Sequence, residues 1–169
     1  MTRHPWRVLA SLAVVSVAAA ALASALVFVP AADAQSAPAA GQGLTGIRVG
    51  RHTTYDRIVL DFRGPAPASF RATWVTTLVA DPSGKRVTLP GNAFASVVVR
   101  GTSTTDVNGH RTYTGPRTIG TPQLGNVRAV AITGDFERVL SLGIGVRHRS
   151  SVHVFRLSSP SRLVIDVGR

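Results

Sequence analysis

The chain has 169 residues and a formal net charge of +11, from 19 Lys and Arg residues against eight Asp and Glu residues. It contains no cysteine, which excludes disulfides and lipid attachment through a cysteine at a cleavage site. The excess of arginine favours anionic partners, because a guanidinium group pairs with phosphate or carboxylate through two hydrogen bonds. A GC-rich genome, which enriches arginine over lysine, is the alternative explanation.

The first 34 residues have the composition of an export signal. Two arginines precede an uncharged run over residues 8–29, and Ala32-Asp33-Ala34 then forms a small-x-small site for signal peptidase. We therefore expect a signal helix over residues 1–34, cleavage before Gln35, and a secreted protein of the cell envelope. The run is long enough to span a bilayer, so an uncleaved anchor is the alternative, and membrane contact is expected only in that case.

The rest of the chain divides into a flexible linker, residues 35–43, and a single domain, residues 44–169. From Leu44 onward, apolar and polar residues alternate with the period of two that is typical of β-strands. This alternation predicts an all-β fold, a two-sheet β-sandwich of eight or nine short strands, with a flattened barrel as the alternative. The strands are predicted at residues 47–49, 57–62, 70–78, 86–89, 94–100, 127–133, 139–147, 152–157 and 162–167. Turns are predicted between them, one of them at Gly134-Asp135.

Two of these strands share a pattern. Residues 57–62 read RIVLDF and residues 162–167 read RLVIDV, so that each presents three apolar residues to the core and an Arg and an Asp to the other face. Either the two sequences converged on a good strand pattern, or they are equivalent strands in two related sheets. The outward Arg and Asp are expected to be ordinary surface charges.

The predicted strand 139–147 offers a first candidate binding site. Its apolar residues face the core, and its other face carries Ser141, Gly143, Gly145 and Arg147, followed by Arg149. Two alternating glycines leave a stripe without side chains where a ligand or another backbone can approach, and the two arginines could hold a carboxylate or phosphate. The alternative is that a large aromatic side chain, such as Trp74 or Phe155, covers the glycines.

The long segment 101–125 offers a second candidate. It is longer than most loops of a compact domain, and Arg111, Tyr113 and Arg117 lie within it, a mixture that suits contact with a glycan or a peptide. A disordered insertion is the alternative. The sequence Asp106-Val-Asn108-Gly109 resembles the start of a calcium loop, but the acidic residue that should close such a loop is missing, so a simple turn is expected.

No catalytic residues, metal site or cofactor are predicted. The histidines have no metal-ligand spacing, cysteine ligands are absent, and no Gly-x-Ser-x-Gly nucleophile motif occurs. Glu137 is the only glutamate, and the scattered aspartates give no sign of a paired-carboxylate site. We therefore expect a protein that is not an enzyme.

Three segments in a fixed order carry a resemblance to a known family. They are Tyr55-Asp-Arg-Ile-Val-Leu-Asp-Phe-Arg-Gly-Pro65, Val127-Arg-Ala-Val-Ala-Ile-Thr-Gly-Asp-Phe-Glu137 and Arg162-Leu-Val-Ile-Asp-Val167. Together they resemble the actinobacterial AMIN-like domain family, a distant relation of the peptidoglycan-binding AMIN domains, over residues 44–169. The resemblance implies a sandwich of two sheets and a role in the envelope, and it supplies no catalytic residues.

Charge, export and resemblance together predict a secreted, non-catalytic module that binds an anionic wall polymer, foremost peptidoglycan. A second hypothesis is an adaptor that binds another envelope protein at an exposed sheet edge. A third is a small secreted hydrolase that acts through Asp135 or Glu137. Nucleic acid is not an expected partner, because the chain has only two tryptophans and no recognisable binding motif.

Overall fold

The computed structural model describes residues 42–169, which form an all-β fold. The strands are β1 (Gly43–Arg51), β2 (Tyr55–Arg63), β3 (Ser69–Val75), β4 (Leu78–Val79), β5 (Arg86–Val87), β6 (Ala93–Arg100), β7 (Thr118–Gly120), β8 (Val127–Phe136), β9 (Val139–Val146), β10 (Val152–Ser158) and β11 (Ser161–Gly168). The predicted signal helix, its cleavage site or anchor, and the linker up to residue 41 lie outside the described residues. Residues 42–169 contain no helix with the length and apolar character needed to cross a membrane.

The strands form two large antiparallel sheets and one small hairpin. The four-stranded sheet has the order β1-β2-β11-β10, the five-stranded sheet has the order β3-β6-β9-β8-β7, and β4 pairs only with β5. The prediction of a two-sheet, all-β fold is confirmed. The eleven described strands exceed the eight or nine predicted, because the predicted strand 70–78 breaks into β3 and β4, and β7 lies inside the segment predicted as a loop.

The core lies between the two large sheets, where alternation in sequence brings apolar side chains together. Residues 58 and 60 of β2, residues 163, 165 and 167 of β11, and the even-numbered residues 140–146 of β9 are all fully buried. Burying one such aliphatic side chain contributes about 1.5–3 kcal/mol. This apolar burial stabilises a chain that has no disulfides.

The β4–β5 hairpin covers part of the outer face of the five-stranded sheet. Leu78 and Leu89 pack there against two small residues of β8, Ala129 and Ala131. As a result, all residues of β9 after Val139 are buried, including those on the face directed away from the core. The central strand of this sheet therefore has no open face beneath the hairpin.

The turn between β8 and β9 differs from the prediction. β8 runs through Gly134-Asp135 to Phe136, and the chain reverses at Glu137 and Arg138, whose φ angles are 47° and 59°. Gly134 lies instead where the β8–β9 register shifts, a position at which an extra residue is accommodated by a β-bulge. The predicted turn was wrong because the glycine marks a bulge, and two residues without glycine's freedom make the turn.

The two strands with the shared pattern are neighbours in one sheet. β2 and β11 pair antiparallel, with Arg57 opposite Asp166 and Asp61 opposite Arg162. The suggestion that they occupy equivalent places in two related sheets is therefore wrong. Because the pattern repeats in antiparallel strands, each arginine faces the aspartate of the other strand.

Candidate ligand-binding face

The outer face of the four-stranded sheet carries three rows of side chains that run across the strands. The rows, from β10 through β11 and β2 to β1, are His153-Asp166-Arg57-Gly50, Phe155-Val164-Val59-Arg48 and Leu157-Arg162-Asp61-Gly46. A middle row that is apolar except for Arg48 thus lies between two charged rows, and we call it the apolar row. We call this surface, together with Tyr55 at the end of β2, the arginine–aromatic face.

Arg57 is the most constrained cation of this face. Its Nε and one terminal nitrogen donate to the two carboxylate oxygens of Asp166, each at 2.7 Å. The guanidinium carbon lies 5.0 Å from the ring centroid of Tyr55 and 5.6 Å from that of Phe155, within the range of cation–π attraction. The hydrogen bond to Asp166 raises the pKa of Arg57 above its ordinary value. These contacts fix a permanently charged, planar group between two aromatic rings.

Tyr55 is itself supported from the chain that follows β1. The His52 ring stacks on the Tyr55 ring, with centroids 4.4 Å apart and planes 19° apart. Offset-stacked pairs of this kind contribute about 0.5–1.5 kcal/mol beyond the area that they bury. The aromatic ring beside Arg57 therefore has a defined orientation.

The third row leaves one arginine without a carboxylate. Asp61 accepts two hydrogen bonds from Arg48, both at 2.7 Å, and the hydrogen bond raises the pKa of Arg48. Gly46 makes room for this pair, because a Cβ at that position would lie 3.2 Å from an oxygen of Asp61. Arg162, which is directly opposite Asp61, instead donates to the Pro160 carbonyl at 3.3 Å. Its charge is available to a ligand.

Most Lys and Arg side chains of the domain, like that of Arg162, form no ion pair with a carboxylate of the described residues. All but two of the 19 Lys and Arg residues lie in residues 42–169, where only Arg48 and Arg57 form an ion pair with a carboxylate. Long-range attraction of an anionic polymer depends on such uncompensated charge.

The predicted glycine stripe is closed by the chain itself. A Cβ at Gly143 would meet Leu78 and Thr133 at under 3 Å, and a Cβ at Gly145 would overlap the Pro90 carbonyl oxygen. The expectation of a stripe open to a ligand is therefore wrong for Gly143 and Gly145, because the segment that carries the β4–β5 hairpin packs on it. The covering residues are aliphatic side chains and backbone; the aromatic cover suggested as the alternative is not what the glycines meet.

The two arginines predicted beside that stripe are exposed in the connection between β9 and β10. The guanidinium of Arg149 lies 5.8 Å from the ring centroid of Trp74, and the backbone nitrogen of Arg147 donates to the carbonyl of Asn126 at 2.9 Å. Neither side chain has a carboxylate partner among the described residues. Their role in binding an anion stays a prediction.

The segment 101–125 is folded. Asp106 accepts hydrogen bonds from the backbone nitrogens of Asn108 and His110, both at 2.9 Å, which closes a tight turn. Arg111 and Arg117 are exposed, as expected for ligand contact, but Tyr113 is only 6% exposed and packs into the main core. The prediction of Tyr113 as a ligand contact is therefore wrong.

The Tyr113 hydroxyl already has a partner in the chain. It donates to the Pro116 carbonyl at 2.8 Å, and burial raises its pKa. A buried tyrosine whose hydroxyl is satisfied within the chain orders the segment around it and has no free donor for a ligand.

A buried carboxylate was missed by sequence reasoning. Asp56 is fully buried and accepts hydrogen bonds from the backbone nitrogens of Gly125, Asn126 and Val127, at 3.0, 2.6 and 2.9 Å. Asn126, also fully buried, donates through its amide to the carbonyls of His148 and Gly168. Together the two side chains join the start of β8 to β2, to the β9–β10 connection and to the C-terminal end of β11.

A signal for Asp56 was present in the sequence. Asp56 has the same parity as Ile58, Leu60 and Phe62, so alternation alone places its carboxylate on the core side of β2. A buried carboxylate must be hydrogen-bonded, which would have predicted a backbone partner for it.

The two acids suggested for a hydrolase lie close to each other in sequence but have different surroundings. Asp135 accepts hydrogen bonds from the Ser103 hydroxyl at 2.7 Å and from the backbone nitrogen and hydroxyl of Thr104, whereas Glu137 is exposed in the β8–β9 turn. Asp135 thus holds the chain after β6 against β8. Within residues 42–169, no group of three or more His, Asp or Glu side chains could hold a metal ion.

Residues 42–169 match the family model of the AMIN-like domain. No curated protein and no solved structure matches the chain. The match spans every described strand, and it agrees with the resemblance found in the three sequence segments. The chain therefore belongs to the AMIN-like domain family.

Proposed function

We propose that the protein is a non-catalytic module of the cell envelope that binds an anionic wall polymer, foremost peptidoglycan, through the arginine–aromatic face. Membership of the AMIN-like domain family supports a cell-wall-associated binding role and an extracytoplasmic location. The observation that carries the proposal is the guanidinium of Arg57, held by Asp166 between two aromatic rings on the outer face of the four-stranded sheet.

The three rows suit a polymer that carries sugar rings and carboxylates. The partly exposed rings of Phe155 and Tyr55 offer flat apolar surface on which a sugar ring can lie. Arg162 and the outer edge of Arg48, whose side chain is 60% exposed, offer donors for carboxylates on either side. Because the charges are exposed, binding should weaken steeply between low and physiological salt.

The test is sedimentation of the protein with purified sacculi. Wild-type protein should pellet at low ionic strength and return to the supernatant as salt rises. Phe155→Ala and Arg162→Gln should each weaken binding several-fold, whereas Arg86→Gln on the β4–β5 hairpin, which removes the same charge elsewhere, should have little effect. Protein that stays in the supernatant at low salt would contradict the proposal.

A second candidate function is an adaptor that binds another envelope protein by strand addition. β10 and β3 are edge strands of the two large sheets and lie against each other. Beside β10 runs a groove of about 740 Å³, lined by Phe70, Phe155 and Leu157 among others. An extended segment could pair with an edge strand there and place alternate side chains in the groove. Crosslinking in cells separates the two functions, since an adaptor gives one discrete protein partner.

A further inference from the structure

The acidic residues of the domain divide into two groups. All eight except Asp33 lie in residues 42–169. Five carboxylates accept hydrogen bonds from within the chain, namely those of Asp56, Asp61, Asp106, Asp135 and Asp166. Asp81 and Glu137 are exposed, and their side chains form no hydrogen bond or ion pair within residues 42–169. In a domain so rich in arginine, two carboxylates without a cationic partner need an explanation.

Both of these carboxylates line the same groove. The groove, of about 520 Å³, lies on the outer face of the five-stranded sheet beside the β4–β5 hairpin. Val79 and Phe136, which are 53% and 49% exposed, also line it, and they are two of the four large apolar residues that the described chain exposes. Exposed apolar surface beside unpaired charge is typical of a site that a partner covers.

The floor of the groove contains hydroxyl groups without partners. Thr133 and Ser141 are 5% and 8% exposed, both line the groove, and neither hydroxyl is hydrogen-bonded within the described residues. Neither hydroxyl oxygen is sealed from solvent, so each can bond a polar group that enters the groove. These two hydroxyls point to a ligand independently of the two carboxylates.

The position of Asp81 is fixed by the backbone. Its nitrogen donates to the Thr133 carbonyl at 2.9 Å, and the close approach requires Gly134, where a Cβ would lie 2.7 Å from the Asp81 Cβ. Its carboxylate therefore stays beside the groove without a side-chain contact to hold it there. Arg100 also lines the groove, which leaves two carboxylates against one cation.

We propose that this groove binds a segment of another protein in which a cationic side chain lies between apolar side chains. The cation would pair with Asp81 and Glu137, the apolar side chains would pack on Val79 and Phe136, and the segment's polar backbone would bond the two floor hydroxyls. Charge complementarity selects this occupant, because an anionic polymer would meet like charges here. The site is thus a second one, on the opposite sheet from the arginine–aromatic face and with the opposite charge preference.

The test uses the protein as purified from cells that express it and two fluorescein-labelled hexapeptides. One alternates phenylalanine with lysine, and the other alternates phenylalanine with glutamate. Fluorescence anisotropy should show binding of the lysine peptide at least ten-fold tighter than that of the glutamate peptide. The double variant Asp81→Asn, Glu137→Gln and the single variant Phe136→Ser should each weaken the lysine peptide ten-fold or more. Val107→Ser removes an apolar side chain of similar exposure, 47%, outside the groove and should leave the affinity unchanged.

Three outcomes would overturn the proposal. Equal binding of the two peptides would remove the charge preference, and unchanged affinity in the groove variants would remove the site. Self-association that the double variant abolishes would make a second copy of this chain the occupant. Sedimentation with sacculi should be the same for the double variant and the wild type, so failure here is distinguishable from failure of the wall-binding function.

Discussion

Replacement of Asp56 should destabilise the fold more than any other change of an acidic residue. In Asp56→Ala, the backbone nitrogens of Asn126 and Val127 lose their acceptor in a fully buried setting, whereas the partly buried nitrogen of Gly125 can turn to water. A buried donor without a partner costs about 1–3 kcal/mol, so two of them and the lost packing should lower the free energy of unfolding by about 3–5 kcal/mol. Domains of this size have about 5–15 kcal/mol in total.

Asp56→Asn is a milder substitution at the same position and should have an intermediate effect. An amide oxygen at the position that bonds Asn126 and Val127 keeps both acceptor contacts, but it loses the charge that strengthens them. The amide nitrogen then faces the Gly125 nitrogen, so one donor is opposed by another. We expect about half the loss seen for alanine.

The measurement is urea unfolding followed by tryptophan fluorescence. Asp61→Ala is the matched control, because it removes a carboxylate from an exposed ion pair on the same strand and should cost less than about 1 kcal/mol. The reasoning is refuted if Asp56→Ala lowers the free energy of unfolding by no more than Asp61→Ala does. Such a small loss in Asp56→Ala would mean that the backbone nitrogens of residues 125–127 find other acceptors.

Three further changes have expected outcomes. Gly145→Ala should destabilise the protein by about 2 kcal/mol or more, because its Cβ would overlap the Pro90 carbonyl; an unchanged urea midpoint would contradict this packing. Burial raises the pKa of Tyr113, so the unfolded state loses the phenolic proton at a lower pH than the folded state does. The preference of the folded state for the protonated phenol therefore stabilises the protein fully below about pH 10, and this stabilisation is lost as the pH rises from 10 through the raised pKa of the folded state. The difference in unfolding free energy between wild type and Tyr113→Phe should therefore change above pH 10 and stay constant below it. Deletion of residues 160–169 removes β11 from between β2 and β10 and should abolish cooperative unfolding, so a truncated protein with a sharp thermal transition would contradict the central position of that strand.

The fold class could be predicted from the sequence because alternation is a local property. Each long strand carries its own period of two, and the residues of the segment 139–147 that are predicted to face the core, the even-numbered ones, do lie in the main core between the sheets. The pairing of strands is not local, so the sequence pattern alone could not place β2 beside β11. The β8–β9 turn was missed for a related reason, since Gly134 suits a turn and a bulge equally well, and only pairing with β9 distinguishes them.

The candidate sites were harder to predict, because each depends on residues far apart in the chain. The glycine stripe of β9 was found, but the residues that cover it come from positions 78–90, and nothing local links the two. The opposite error occurred at Arg57, whose outward position suggested an ordinary surface charge. Asp166 on β11 and the Phe155 ring on β10 surround it together with the Tyr55 ring of its own strand. Tyr113 lies outside the strands but is buried in the core, and the composition of the segment does not distinguish a buried tyrosine from an exposed one.

The repeated Arg and Asp of β2 and β11 have a consequence for how the two strands find their alignment. Sliding one strand past the other by two residues would keep every core-facing apolar side chain on the core side. Apolar burial therefore does not distinguish the native register from a register shifted by two residues. The charges can, because the slide would set Arg57 against Val164 or Gly168 in place of Asp166. We therefore expect the Arg57–Asp166 ion pair to favour the native alignment over the two alignments shifted by two residues.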